Sequence, residues 1–313
     1  MPFLPVGGQA VIEGVMMRSP GGMSVAVRRP NGTYATMDKA YTSITRRVKV
    51  LGLPIVRGAV SLFETLFLGI TALNFSADEA SREGELAVEK KKAGTGEQIL
   101  QGAVVIFSLA LGVLLFVVMP ARATTWLGFH GRVGFGLVDG AFRLLAFVLY
   151  LLLISQWKEM RRVLGFHGAE HKAIHALEAG VEMTPENVQK FSRFHPRCGT
   201  SFLFFVVIIS IVVFTFIGRP HSIREHLLRV ACMPLIAGVA FEFIRLSGKY
   251  AHKPFVRALI WPGIQFQRLT TREPDLEMCA VAIAAIERVK DDPALVALQQ
   301  AGPGARAEVA FVQ

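Results

Sequence analysis

Three cysteines in 313 residues, Cys198, Cys232 and Cys279, are too few for a disulfide framework. Charge is scarce too: Asp, Glu, Lys and Arg make up 19% of the chain, against 52% hydrophobic residues and a mean hydropathy of +0.44. That balance argues against a soluble enzyme and suits a membrane protein with substantial aqueous parts. The start, MPFLPVGGQAVIEG, lacks a basic n-region and a long apolar core, so no cleavable signal peptide is expected. The net charge of +10 is not gathered into a stripe with interleaved aromatics, which excludes nucleic acid as a partner. Anionic lipid headgroups account for the positive residues more simply. The chain has no internal repeat.

What it has instead is long apolar runs. Ile99 to Met119 is uncharged and long enough to cross about 30 Å of hydrocarbon. Val133 to Ser155 is a second span, with Asp139 and Arg143 spaced to pair on one face. Gly199 to Ile217 is the third and most hydrophobic. Leu227 to Leu246 is a fourth, made polar by Arg229, Glu242 and Arg245. Leu53 to Leu73 is read as an interfacial or partly inserted helix; as a fifth span it would put the two ends on opposite sides. Residues 156–198 hold seven Lys/Arg, 120–132 two, 219–226 two and 245–273 six. This alternation places both termini and the stretch between spans two and three in the cytoplasm of a multi-pass membrane protein.

The expected fold is therefore a polytopic α-helical membrane protein with about four spanning helices and a small β-rich N-terminal cytoplasmic domain over residues 1–52. In that domain Met23 to Arg29 and Thr33 to Tyr41 flank Pro30-Asn31-Gly32, a hairpin signal. Glu13, in AVIEGVMM, reads as the solvent face of a strand or as a buried ligand. Residues 53–98 hold the interfacial helix and a charged linker from 78. Residues 99–246 form the transmembrane domain with a His-rich loop-helix at 156–198. Residues 247–290 are a C-terminal cytoplasmic segment with an amphipathic helix at 275–290, and 291–313 a tail without packing signal.

The chemistry concentrates in GFHGAEHKAIHALEAG. His167, His171 and His175 lie four residues apart, so on a helix they drift only about 40° per step, and Glu170 and Glu178 fall on the same side. Imidazoles with carboxylates are a hard-to-borderline metal inventory. His167 to His171 reads H-x-x-E-H, the inverted zinc-hydrolase motif, in which the histidines bind metal and the glutamate handles the proton. At 1.5 Å per residue, His167 and His175 stand about 12 Å apart along the axis and cannot share one ion. The bland alternative is a polar groove lined by histidines. Ala169, Ala173, Ala176 and Ala179 favour the helix, and Gly180 ends it.

A second pole follows in FSRFHPRCGTSF, where His195 and Cys198 form an H-x-x-C pair of zinc-type ligands. Cys198, beside Arg197 and His195, has three readings: metal ligand, reactive nucleophile, or inert residue at a membrane entry. Cys232 and Cys279 read as small buried hydrophobes. Glu242 is an ionisable group within an apolar run; it is either a downstream carboxylate ligand or the ion-pair partner of Arg245.

GGQAVIEGVMMRSP, HGAEHK, HPRCGTSF and QFQRLTTREPDLE together resemble the YqhQ-like family of bacterial membrane proteins, over roughly residues 5–290. The resemblance implies a polytopic inner-membrane protein of a family some descriptions call predicted metal-dependent enzymes. Its shared polar core points to His167, Glu170, His171, His195 and Cys198; His175 lies outside these motifs. Two functions are expected to compete. One is a zinc-dependent hydrolase of membrane-proximal peptide or ester bonds, with Glu170 as general base and Glu242 or Cys198 as third ligand. The other is a non-catalytic membrane assembly or transport factor whose metal or polar cluster is structural. A thiol-redox role for Cys198 trails both, for want of a C-x-x-C partner.

Overall fold

The computed structural model describes residues 4–82, 95–129, 131–250 and 253–300. Four strands, β1 (Gly7–Val11), β2 (Gly14–Arg18), β3 (Gly22–Arg28) and β4 (Tyr34–Ala40), form an antiparallel meander in chain order. The principal helices that follow are α1 (Val56–Ala80), α2 (Gly102–Trp126), α3 (Arg132–Ile154), α4 (Lys158–Ala179), α5 (Gly199–Ile217), α6 (Ile223–Ser247), α7 (Pro254–Thr270) and α8 (Leu276–Lys290). Five of them, α1, α2, α3, α5 and α6, are long and apolar enough to cross a membrane. That is one more than the four spans expected. The addition is α1, which continues past Leu73 to Ala80 into the expected linker; the far end of that linker, from Thr95, is helical too, and residues 83–94 and those beyond 300 lie outside the described residues.

The chain forms two compact units. The first draws on three separate stretches, Met1–Glu83, Leu152–Phe205 and Ala237–Gln313, so boundaries drawn along the sequence do not divide it. Its centre is the sheet. Because side chains alternate along a strand, Val15 and Met17 of β2 with Ala26 of β3 face one way, and Met16, Val25 and Val27 face the other. The first face packs on Phe166, Ala169 and Ala173 of α4 and on Val281, Ala282, Ala285 and Ile286 of α8. The second packs on Leu68 and Ala72 of α1. Covered on both sides, β2 is buried throughout. This is why its sequence, GVMMR, shows no polar alternation.

α1 is fixed to the sheet by polar contacts as well. Ser76 accepts the Ile12 N–H, and Glu79 accepts from Arg29 at 2.8 Å. Its opposite face leaves Phe63, Leu66 and Phe67 exposed. Glu13 is not on a strand face. It occupies the β1–β2 turn with a φ of 52° and accepts from Nε and Nη2 of Arg162 at 2.5 Å each.

The second unit comprises Gly84–Leu151 and Val206–Ile236. Asp139 and Arg143 pair across one turn of α3 at 3.0 Å, as their spacing suggests, and Arg229 reaches the same carboxylate oxygen at 3.1 Å. Arg229 is wholly buried and also donates to the Gly218 carbonyl at 2.6 Å. The two guanidiniums lie over the Phe214 ring at 4.5 and 5.0 Å. Three charges in an apolar setting are thereby tied together by ion pairs and an aromatic face.

Candidate metal centre

α4 carries the histidine ladder along one side and stops at Gly180, whose φ of 67° closes the helix in the left-handed region expected of it. Each of the three histidines gives one ring nitrogen to a main-chain carbonyl. His167 Nδ1 meets Thr270 O at 2.8 Å, His171 Nδ1 meets Arg193 O at 2.6 Å, and His175 Nε2 meets Phe194 O at 3.0 Å. A carbonyl only accepts, so those nitrogens carry the hydrogen. In the neutral rings the opposite nitrogens, Nε2 of His167 and His171 and Nδ1 of His175, carry the lone pairs that a metal would take in place of a proton. Anchoring the far nitrogen in this way is what orients a metal-binding imidazole.

The lone pairs of His167 and His171 converge on Cys198. Cys198 Sγ lies 3.2 Å from His167 Nε2, and the ligand atoms of His167, His171 and Cys198 all lie within 4.8 Å of one another. Thr200 supports the sulfur, with its hydroxyl at 3.1 Å and its N–H donating at 3.4 Å. A second group, His175, Glu178 and His195, is equally close-knit. Glu178, however, is taken up by Arg197 and by the Leu4 N–H at 3.2 Å.

Charge follows from this packing. Burial alone would raise the Cys198 thiol, but the charges of His167 and His171 and their hydrogen bonds hold it well below its ordinary value of 9.0. For His167 burial pulls downward, and the Cys198 thiolate overrides it and lifts the imidazole to about 9. The metal-free site is thus a thiolate–imidazolium pair. Burial pushes the Glu170 carboxyl up, opposed by His171 and His167. One oxygen of Glu170 takes a hydrogen bond from the Gly8 main chain; the other, Oε2, is buried with no partner among the described residues. Burial and the neighbouring Arg197, His171 and His175 keep His195 neutral. His195 Nδ1 accepts the Arg197 N–H at 3.3 Å, so its hydrogen sits on Nε2, also buried without a partner among the described residues. The hydrogen of His195 is thus on Nε2, as in His175 and unlike His167 and His171, and its ligand atom falls in the second group with His175 and Glu178 and not in the first.

The HPRC segment is held from α7. Gln267, fully buried, accepts the His195 N–H at 2.8 Å and donates to the His195 carbonyl at 2.6 Å and to Ser201 Oγ at 2.9 Å. Thr270 adds a hydroxyl contact to Thr200 at 3.0 Å besides accepting from His167. Neither Gln267 nor Thr270 stands out by residue type; the signal was the motif QFQRLTTREPDLE, which contains both. The close approach of this segment to α4 depends on Gly168. A Cβ there would press on the Arg272 carbonyl oxygen and lie 3.3 Å from both Arg272 C and Pro274 Cδ.

Of the residues singled out in the sequence, the structure therefore brings together His167, His171, Cys198 and Glu170, with His175 and His195 adjoining. It does not bring in Glu242. That carboxylate is bound by Arg57 through two contacts of 2.6 and 2.5 Å and by Arg245 at 3.5 Å. A fixed guanidinium fork takes both oxygens, and the third ligand position falls to Cys198. Two imidazole nitrogens and a thiolate with anchored far nitrogens suit zinc in kind and number, leaving one position open beside Glu170.

Comparison with known proteins agrees with the family resemblance carried by the sequence motifs. The family model described as a protein of unknown function, DUF1385, matches residues 53–292. The chain is 31% identical over 296 residues to the "Uncharacterized protein YqhQ" of Bacillus subtilis (strain 168), covering 90% of this chain and 91% of that one. No solved structure matches. With the family model spanning most of the chain and the Bacillus protein aligned nearly end to end, the chain belongs to the YqhQ-like family, DUF1385.

Proposed function

We propose that this protein is a zinc-dependent hydrolase of the inner membrane, with its centre at the cytoplasmic face. The observation that carries the reading is the convergence of His167 Nε2, His171 Nε2 and Cys198 Sγ beside the unpartnered Oε2 of the buried Glu170. Zinc held by the three would supply Lewis acidity and bring the pKa of a water down toward 7. Glu170, raised by burial, is matched to take that water's proton and return it to the leaving group. Thr270 and the Arg193 carbonyl fix the two imidazoles, and Gln267 fixes the loop that bears Cys198. Membrane-proximal peptide or ester bonds are the substrate class, because α5 begins at Gly199, directly after the cysteine. The placement of α1, docked on the sheet by one face and apolar on the other, supports an interfacial helix. Four helices then cross, and both termini are cytoplasmic.

The test is elemental analysis of the detergent-purified protein beside His171→Ala and Cys198→Ala. About one equivalent of zinc in the wild type, lost in both variants, is the expected result; a folded, metal-free wild type overturns it. Glu170→Gln should keep the metal and lose turnover in a peptidase and esterase screen. Turnover retained in that variant removes Glu170 as the base.

A second reading, a membrane assembly or transport factor with a structural centre, is favoured by the buried Asp139, Arg143 and Arg229 network, which the hydrolase does not use. It predicts that ligand variants lose abundance in step with metal, with no activity to separate.

A further inference from the structure

The second unit holds a cavity of about 290 Å³ whose wall is unlike its apolar surroundings. Arg122 and Thr125 come from the last turns of α2; Arg219, His221 and Ser222 come from the link between α5 and α6; His226 comes from the first turn of α6. The cavity therefore lies where three helices able to cross a membrane end or begin. Exposed carboxylates do not line it. Glu225, one residue before His226, accepts the N–H groups of His221 and, at 3.2 Å, Ser222, and its charge also acts on Arg229 and His226.

The wall is backed by buried positive charge. Arg143 and Arg229 share a single oxygen of Asp139, so the buried cluster carries one more cation than anion. Arg229 also donates to Gly218, fixing the start of the link that presents Arg219 and His221. His226 sits within the electrostatic reach of both Arg229 and Arg122, and its Nδ1 is buried with no partner among the described residues. An apolar helix end that gathers guanidiniums and imidazoles over a buried cluster of net positive charge suits an anionic ligand.

We propose that this cavity binds a phosphate group, carried by an anionic lipid headgroup or free in solution. Arg122 and Arg219 supply charge-assisted hydrogen bonds, and Thr125, Ser222 and His226 supply neutral partners. By the proposed topology this end of the helices lies on the side away from the termini, so a lipid ligand would belong to the outer leaflet. The site is independent of the zinc reading.

The experiment follows binding to the full-length detergent-purified protein by thermal midpoint and native mass spectrometry. The probes are phosphatidylglycerol, phosphatidylcholine and inorganic phosphate. Phosphatidylglycerol is expected to bind saturably and raise the midpoint, and phosphatidylcholine is not. Arg122→Gln should weaken binding about fivefold and Arg122→Gln with Arg219→Gln about 25-fold, at about 1 kcal/mol per charge. Arg122 is exposed, so its single variant tests the site even where the double variant does not fold. Inorganic phosphate competing with the lipid would show that the phosphate group alone suffices, and lipid without phosphate competition would assign a headgroup site. The proposal is overturned if neither probe binds, if Arg122→Gln leaves the affinity unchanged, or if a distant control, Arg46→Gln, weakens it equally.

Discussion

Gly168→Ala sets two forces against each other on one helix. In an exposed helix the change gains about 1 kcal/mol, because alanine loses less backbone freedom than glycine. At this position the new methyl group meets the Arg272 main-chain oxygen closer than real Cβ contacts allow. A carbonyl has no rotamer to yield with. It is further held because the Arg272 N–H donates to Leu164 O at 2.8 Å. Overpacking costs about 1–3 kcal/mol, and a main-chain neighbour places this case at the upper end, for a net loss of about 2 kcal/mol. The strain does not stay local: pushing residues 270–274 away from α4 draws the Thr270 carbonyl off His167 Nδ1. Losing that kind of support lowers metal affinity about 10- to 100-fold. Gly165→Ala is the internal control, since it has the same propensity gain on the same helix. There the added methyl meets only the end of the Met278 side chain, 2.8 Å from its sulfur, which can swing aside. Thermal unfolding and competition for zinc with a chromophoric chelator give the two readouts. If Gly168→Ala matches Gly165→Ala in both, close packing of α4 on the 270–274 segment is not what holds the centre.

Asp139→Asn should cost about 3–5 kcal/mol in thermal or denaturant unfolding, because two buried guanidiniums lose their shared carboxylate; a near-neutral result would mean that water or lipid already compensates them. Glu242→Gln should lower stability through the loss of Arg57 pairing and leave zinc content unchanged, and metal loss in that variant would restore Glu242 to the ligands. For the metal-free protein, the raised His167 contributes stability below 6.5 that is lost as pH climbs through about 9. The depressed Cys198 contributes stability above 9.0 that is lost as pH falls toward its folded value. Between about 6.5 and 9 folded and unfolded chains each hold one proton on this pair, so its contribution is flat. Below 6.5 the unfolded chain holds two and stability falls. A thermal midpoint that climbed steadily from pH 7 to 9 on account of this pair, as judged against Cys198→Ser, would refute the thiolate–imidazolium assignment.

Local periodicity made part of this site legible. His167, Glu170 and His171 lie on one helical side by arithmetic alone, and Asp139 with Arg143 is the same arithmetic on α3. The hairpin at Asn31-Gly32 followed from turn chemistry, and β3 and β4 start and end within one residue of the expected limits. Long-range pairing was not legible. Glu242 has Arg245 one turn away in the sequence, but Arg57, 185 residues distant, takes the stronger bidentate contact. Arg229 joins Asp139 from another helix, 90 residues on. Glu13 looked like a strand residue because its neighbours are apolar; the turn that frees it for Arg162 is set by tertiary contact. The supporting carbonyls of Thr270, Arg193 and Phe194 carry no side-chain signal, since every residue has a carbonyl.

The sheet has no finished core until α8 arrives. β2 and β3 lie within the first 28 residues, yet the residues that seal one of their faces belong to α8, and Asp38 waits 250 positions for Arg288. At about 5–20 residues per second, translation leaves that face open for roughly 12–50 s. During this interval α2, α3, α5 and α6, each long and apolar enough to cross a membrane, are made. An exposed apolar strand surface is a liability over such a time, and only α1, the first helix to follow, is available early to cover the other side. Closure of the first unit thus waits for nearly the whole chain, and α4 meets α8 only after the helices between them have been made.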